Sequence, residues 1–157
     1  MSLDATAREA NIRDSIKKFF IDNLYSKEGI ELTFDRGLAT PKIPNRNLVE
    51  KWVSVNFGLM DRETLSTHSI MIYCCTRKDS EGFKLAQLVD TVMGYLSDTT
   101  ETDGMKRIPF YRSKAQGDWD LLGSLLVQDV IESNQMIADD ETKFKILTVK
   151  LRWATKI

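Results

Sequence analysis

The sequence predicts an α/β chain of the α+β kind, a mixed, mainly antiparallel sheet packed by an N-terminal helix and a central helix. Three observations predict it. Val53, Val55, Phe57 and Leu59, and later Leu147, Val149, Leu151 and Trp153, recur every second residue, the period of strands with one face on a core. Ser69-Ile70-Met71-Ile72-Tyr73-Cys74-Cys75 is apolar on both faces, as expected of a central strand. Leu85, Leu88, Val89, Val92 and Leu96 recur at three- and four-residue spacings, the stripe of a helix laid across the sheet. With 157 residues and 42% hydrophobic content, the chain fits a single domain, 1–157, with one core.

Taken in order, residues from Asp4 to Tyr25 suit an amphipathic helix. Asp4 or Thr6 can cap it, and Glu9 completes a capping box after Thr6. Ile12, Ile16, Phe19, Phe20 and Leu24 form its apolar side, while Arg13, Lys17, Lys18 and Asp22 make a solvated face. Gly29 ends the helical region, and Ile30, Leu32 and Phe34 alternate with Glu31, Thr33 and Asp35 as a short half-buried strand. From Arg36 to Glu50 the periodicity stops. Pro41, Pro44, Gly37, Asn45 and Asn47 mark a long connection, expected to become ordered mainly against a neighbouring subunit.

Lys51 to Leu96 organises the chain, with two paired strands joined by the polar turn Asp61-Arg62-Glu63-Thr64 and a helix that Ser80 can cap. Ser97 to Gly104 has no apolar residue with which to pack and reads as a loop. Lys106 to Arg112 is a short extended segment. Its Pro109 places it at a sheet edge, because proline has no N–H for a ladder bond. Ser113 to Gly123, containing Gly117, Asp118 and Trp119, reads as a polar stretch, and Trp119 either as an interface anchor or as packing under its own loop. The last third reads as a β-hairpin of Ser124–Gln135 and Lys145–Trp153, with an acidic turn at Asp139-Asp140-Glu141 and with Met136 and Ile137 at its tip, where they either cap the local core or offer a docking contact.

Several chemistries find no support in these residues. Lys and Arg total 22 against 23 Asp and Glu, a net charge of -1, which leaves no global basic excess for non-specific nucleic-acid binding. No apolar run is long enough to span a bilayer, and MSLDATAREAN lacks the apolar core of a signal peptide, so a soluble intracellular protein is expected. Cys74 and Cys75 are adjacent in a strand and point to opposite faces, so they cannot share a metal. They read as buried thiols in a reducing compartment. His68 is the one histidine and reads as an ordinary strand residue. There is no Gly-rich phosphate loop, nucleophile elbow, histidine pair or CxxC motif. The pairs Asp118/Asp120 and Asp139/Asp140 read as solvated acids in turns. Neither an enzyme nor a cofactor or metal site is expected. Contact surfaces remain: Arg107, Phe110, Tyr111 and Arg112 mix basic and aromatic groups that suit edge packing or, as an alternative, a nucleic-acid strand, and Trp119, Met136 and Ile137 complete the candidate interface set.

In element order and size, from the Asp4–Tyr25 helix through KWVSVNFG and SIMIYCC to FKILTVKLRW, the chain resembles the tail terminator proteins of long-tailed bacteriophages with non-contractile tails. The resemblance covers nearly the whole chain and implies a tail-terminator-like fold whose protomers assemble into a homo-oligomeric ring, a hexamer. Such a ring sits on the finished tail tube protein, stops its polymerisation and presents the surface to which head-tail connector proteins attach. DNA would pass through the ring without sequence-specific binding, with no membrane involved. It implies a place at the head-proximal end of the virion tail, and in the host cytoplasm during assembly. A related implication is another head-tail neck or completion protein. A closed ring requires a head-to-tail contact, for which edge strands and long loops are the natural material. The 36–50 connection, the Lys106–Arg112 edge and the terminal hairpin are the expected sources.

Overall fold

The computed structural model describes residues 8–37, 50–61, 65–97, 106–115, 118–138 and 141–154. Its elements are α1 (Arg8–Phe20), a π-helical turn (Ile21–Tyr25), α2 (Ser26–Glu28), β1 (Glu31–Phe34), β2 (Lys51–Asp61), β3 (Leu65–Thr76), α3 (Phe83–Leu96), β4 (Arg107–Ala115), β5 (Asp118–Glu132), β6 (Met136–Ile137) and β7 (Lys143–Ala154). The strands form one sheet in the order β1-β2-β3-β7-β5-β4, with β6 paired to β7. Only β1 and β2 run parallel; the other pairs are antiparallel. The expected mixed, mainly antiparallel α+β architecture is therefore the fold.

β3, the stretch apolar on both sides, lies in the middle of the sheet between β2 and β7. Its Ile70, Ile72 and Cys74 join Val53 and Val55 of β2, Leu147, Val149 and Leu151 of β7, Leu125 and Val127 of β5, and Ile108 and Phe110 of β4 in one buried cluster. The stripes of both helices complete it: Ile12, Ile16, Phe19 and Phe20 from α1, and Leu85, Leu88, Val89, Val92 and Leu96 from α3. These are the residues that the three- and four-residue spacing selects. Burying each such side chain stabilises the fold by roughly 1.5–3 kcal/mol before the cost of ordering it.

α1 spans the space between the two outermost strands. On one flank Arg13 pairs with Asp35, just beyond β1, at 2.9 Å, and Lys17 lies over the Phe34 ring at 5.6 Å. On the other flank the Ser15 hydroxyl accepts the Tyr111 N–H of β4 at 2.8 Å, and Lys18 lies over the Tyr111 ring at 5.7 Å. Positions 13 and 17 share one side of a helix, and 15 and 18 the other, so a single helix fastens both ends of a curled sheet. Past Phe20 the helix widens. The Asn23 side-chain amide donates to Phe19 O at 2.8 Å, the carbonyl that an α-helical Asn23 N–H would use, and the chain makes a π turn there. Gly29, with φ +68°, then ends the helical run as its position in the sequence predicts.

Several boundaries differ from the sequence reading. Ser80 does not cap α3. The helix starts at Phe83 after Gly82 in the left-handed region, and the Asp79 carboxylate accepts the N–H groups of Lys84 (3.2 Å) and Leu85 (2.9 Å). Trp52, which alternates with the core residues Val53 and Val55 and so stands on the opposite face of β2, is also fully buried, and the Arg77 guanidinium lies 5.3 Å from its indole centroid. The polar segment 113–123 is mostly strand. Its residues continue β4 to Ala115 and start β5 at Asp118, with Ser113 opposite Trp119 and Arg112 opposite Asp120. The backbone hydrogen bonds of a hairpin hold these residues without any apolar alternation. The candidate cap at Asp4 and Thr6, most of the 36–50 connection, the turn at 62–64, the 98–104 segment and Asp139-Asp140 lie outside the described residues.

Candidate functional site

The basic and aromatic residues of the predicted edge divide between core and surface. Phe110 is a core side chain, 5% exposed, which removes it from the candidate interface and from any stacking on a nucleic-acid base. It faces inward because β4 alternates, and Ile108 and Phe110 share the buried side. Arg107 and Tyr111 remain outside. They line a cleft of about 430 Å³ with Lys18, Lys27, Asp22, Tyr95, Lys106 and Pro109. Four cations face one carboxylate there. Lys18 is held to Asp22 at 2.7 Å. The side chains of Arg112 and Trp119 lie outside the described residues, although their backbones are placed on β4 and β5.

A second cleft of about 500 Å³ opens beside the first and middle turns of α3, lined by Glu28, Glu31, Glu50, Lys51, Lys84 and Thr91 among others. Tyr95 Oη, from the lining of the first cleft, donates to Glu28 Oε1, from the lining of the second, at 2.6 Å. That hydrogen bond to the carboxylate holds the Tyr95 hydroxyl above the usual phenol range, with its partial desolvation adding to the effect.

Met136 and Ile137 lie at the tip end of the terminal hairpin, as the sequence predicts: after a bend at 133–135 they make the short strand β6, Met136 opposite Phe144 and Ile137 opposite Lys143, and Ala138 N–H then donates to Thr142 O at 2.8 Å as the chain returns into β7. Ile137 is 65% exposed and Met136 half-buried, so an apolar contact surface does exist there, away from the basic cleft. The seven candidate interface residues are thus not brought into one patch.

The groups with acid-base or ligand chemistry are placed as follows. Among the described residues, no three His, Cys, Asp or Glu side chains converge on a common point. Cys74 and Cys75 are both buried thiols outside any disulfide; burial foremost, and the neighbouring Cys75, push the Cys74 thiol up. His68 is 1% exposed and its ring is stacked on Phe57 with centroids 5.8 Å apart. The backbones of Asp118 and Asp120 belong to β5 rather than to a turn. No helix among the described residues is long and apolar enough to cross a membrane.

The borders of the sheet are the remaining candidates, and sequence reasoning identified only one of them. β4 is an edge strand, as Pro109 predicts, yet its border is already occupied. Lys106 N–H donates to Leu96 O at 3.1 Å, Pro109 has no N–H, and Tyr111 N–H is held by Ser15. The Lys106–Arg112 edge is therefore corrected from a free border to one covered by the protein's own helices. Among the described residues, β1 and the C-terminal half of β5 each present a border without a partner strand; β5 extends past the start of β4, which pairs with it no further than Leu126, and Val127 N–H donates to Lys106 O. A length mismatch between adjacent strands is the signal that would have identified this border, and only the register reveals it.

No family model and no curated protein matches this sequence. The chain is similar to a solved protein structure that bears no functional name, at 6% identity and a TM-score of 0.57, over 95% of this chain and 96% of that one. At that identity the likeness shows that the two share a fold, an α+β arrangement of helices on a curled mixed sheet, and nothing about activity.

Proposed function

We propose that this protein is a structural assembly protein of a long-tailed bacteriophage, a tail terminator. In this reading, copies form a closed homo-oligomeric ring, a hexamer, which caps the completed tail tube, ends its polymerisation and provides the surface for attachment of the DNA-filled head. It acts by binding and catalyses no reaction. Its partners are itself, the tube protein and the head-tail connector, and DNA crosses the ring without sequence readout. It resides at the head-proximal end of the virion tail and, during assembly, in the host cytoplasm.

The observation that supports this reading most is that, among the described residues, β1 and the second half of β5 are strand borders without a partner strand, in different parts of one sheet. Two different borders on one protomer favour a head-to-tail contact, which yields a ring when the rotation per subunit closes. Burial of Phe110 counts against the alternative of single-strand nucleic-acid binding at 107–112, because its ring is not available to a base.

The test adds purified protein to polymerising tail tubes and measures their length by negative-stain electron microscopy. Tubes of limited length with an annulus at one end are the expected result. Tubes that grow without limit while the protein stays monomeric overturn the proposal. Binding to DNA-filled heads but not to tubes would assign the protein instead to another neck position.

A further inference from the structure

From the register of the sheet we infer which surfaces join one copy to the next: β1 of one protomer pairs antiparallel with Gln128–Glu132 of β5 in its neighbour. Asp35 N–H donates to Val55 O at 2.9 Å, so Glu31, Thr33 and Asp35 turn their N–H and C=O groups toward β2. By the two-residue alternation, Leu32 and Phe34 turn theirs outward, and no hydrogen bond among the described residues reaches them. On β5, Ser133 N–H donates to Ile146 O at 2.9 Å, so Ile131 faces β7 while Val130 and Glu132 turn outward past the end of β4. Each border offers two N–H and two C=O groups at the same spacing, the requirement for adding a strand.

The faces decide the direction. Leu32 and Phe34 lie opposite Val53 and Val55, and Val130 and Glu132 opposite Val149 and Leu147, so all four side chains stand on the helix-covered face. In an antiparallel pair, residues that exchange both hydrogen bonds stand directly opposite each other with side chains on one face. Pairing Phe34 with Val130 and Leu32 with Glu132 therefore continues the sheet without inverting it. A parallel pairing would set Val130 opposite Thr33, whose side chain is on the other face. The antiparallel register also brings the Glu132 carboxylate to Lys17, which lies over the Phe34 ring at 5.6 Å and makes no ion pair among the described residues. Within its own protomer Glu132 is paired with Lys145 at 3.8 Å. The occupant that fits each border is accordingly a second copy of this chain. The two borders differ and each remains free for a further copy, so the contact propagates head to tail.

This inference rests on the self-association in the proposed function, and its test separates the two. The register makes Thr33 and Ile131 a non-hydrogen-bonded pair with Cα atoms about 4.5 Å apart, within disulfide range. The double variant T33C/I131C, oxidised at assembly concentration, is expected to give a ladder of covalent oligomers on a non-reducing gel that neither single variant gives. Glu132→Pro removes an outward N–H and no internal ladder bond, so the fold is expected to persist by circular dichroism while association, followed by native mass spectrometry, weakens at least about tenfold relative to Glu132→Ala. Wild-type rings with no disulfide ladder and no effect of proline overturn this contact and leave the ring reading intact. A wild-type protein that stays monomeric even with tail tubes overturns both.

Discussion

Asp79 shows how a single residue determines where an element starts. Its carboxylate is nearly buried, which alone would raise its pKa. The N–H groups of Leu85 and Lys84, the Thr76 hydroxyl at 3.1 Å and the nearby Lys143 ammonium outweigh that burial and hold it below the usual carboxylate range. Lys143 Nζ also donates to the Asp79 carbonyl oxygen, tying the start of α3 to β7. Asp79→Ala is expected to lower unfolding free energy by about 1–2 kcal/mol, measured by urea denaturation at neutral pH. A depressed folded-state pKa contributes stability that is present above the unfolded value, about 3.9, and is lost as pH falls through the folded value. The difference between wild type and Asp79→Ala should therefore be full at neutral pH and shrink below about pH 4. A difference that stays constant on acidification would show that the charged form of Asp79 is not what stabilises the helix start. Asp79 and Ser80 are both good capping residues in the sequence. The left-handed Gly82, φ +79°, turns the chain so that Asp79 reaches the free N–H groups.

For the elements, strand identity was more legible than strand pairing. Period-two alternation located β2 and β7, and a run apolar on both faces located β3, yet neither reveals the bulge at Gly58. The register of β2 and β3 passes from Phe57↔Ile70 to Met60↔His68, so β2 carries one more residue than β3 across that gap. A Cβ on Gly58 would stand 2.8 Å from the Ser69 carbonyl oxygen, a backbone atom with little room to yield. Gly58→Ala is expected to cost about 1–3 kcal/mol, and thermal unfolding checks it. An unchanged Tm would mean that the bulge relaxes without penalty. Ser113–Gly123 was missed for a different reason: backbone hydrogen bonds alone make it two strands, and composition leaves no trace of them. The covered border of β4 depends likewise on a contact between distant residues, Ser15 and Tyr111, which no local pattern contains.

At the scale of the whole molecule, the curled sheet has a closed middle and open ends. β3 is bonded along both sides, to β2 and to β7, whereas Leu32, Phe34, Val130 and Glu132 direct their amides outward at the borders. Hydrogen exchange should therefore be slowest in β3 and fast at those four amides in the monomer, and the four should become protected together when copies assemble. Protection that appears only at β4, or at none of the four, would contradict the edge pairing. The same arrangement separates the candidate interface residues. Arg107 and Tyr111 share a cleft, Phe110 belongs to the core, and Met136 and Ile137 sit apart on β6.

The α+β class, the central place of Ile70–Cys75, the core faces of α1 and α3 and the helix stop at Gly29 are all written in the order of residues. They follow from the spacing of apolar residues and from local backbone preferences, and each residue carries that information with it. Which strand borders stay open is settled by the folded chain. Whether an edge N–H meets a partner depends on relative strand lengths, on a bulge and on a helix fastened across the sheet, all of them relations between residues far apart in the chain.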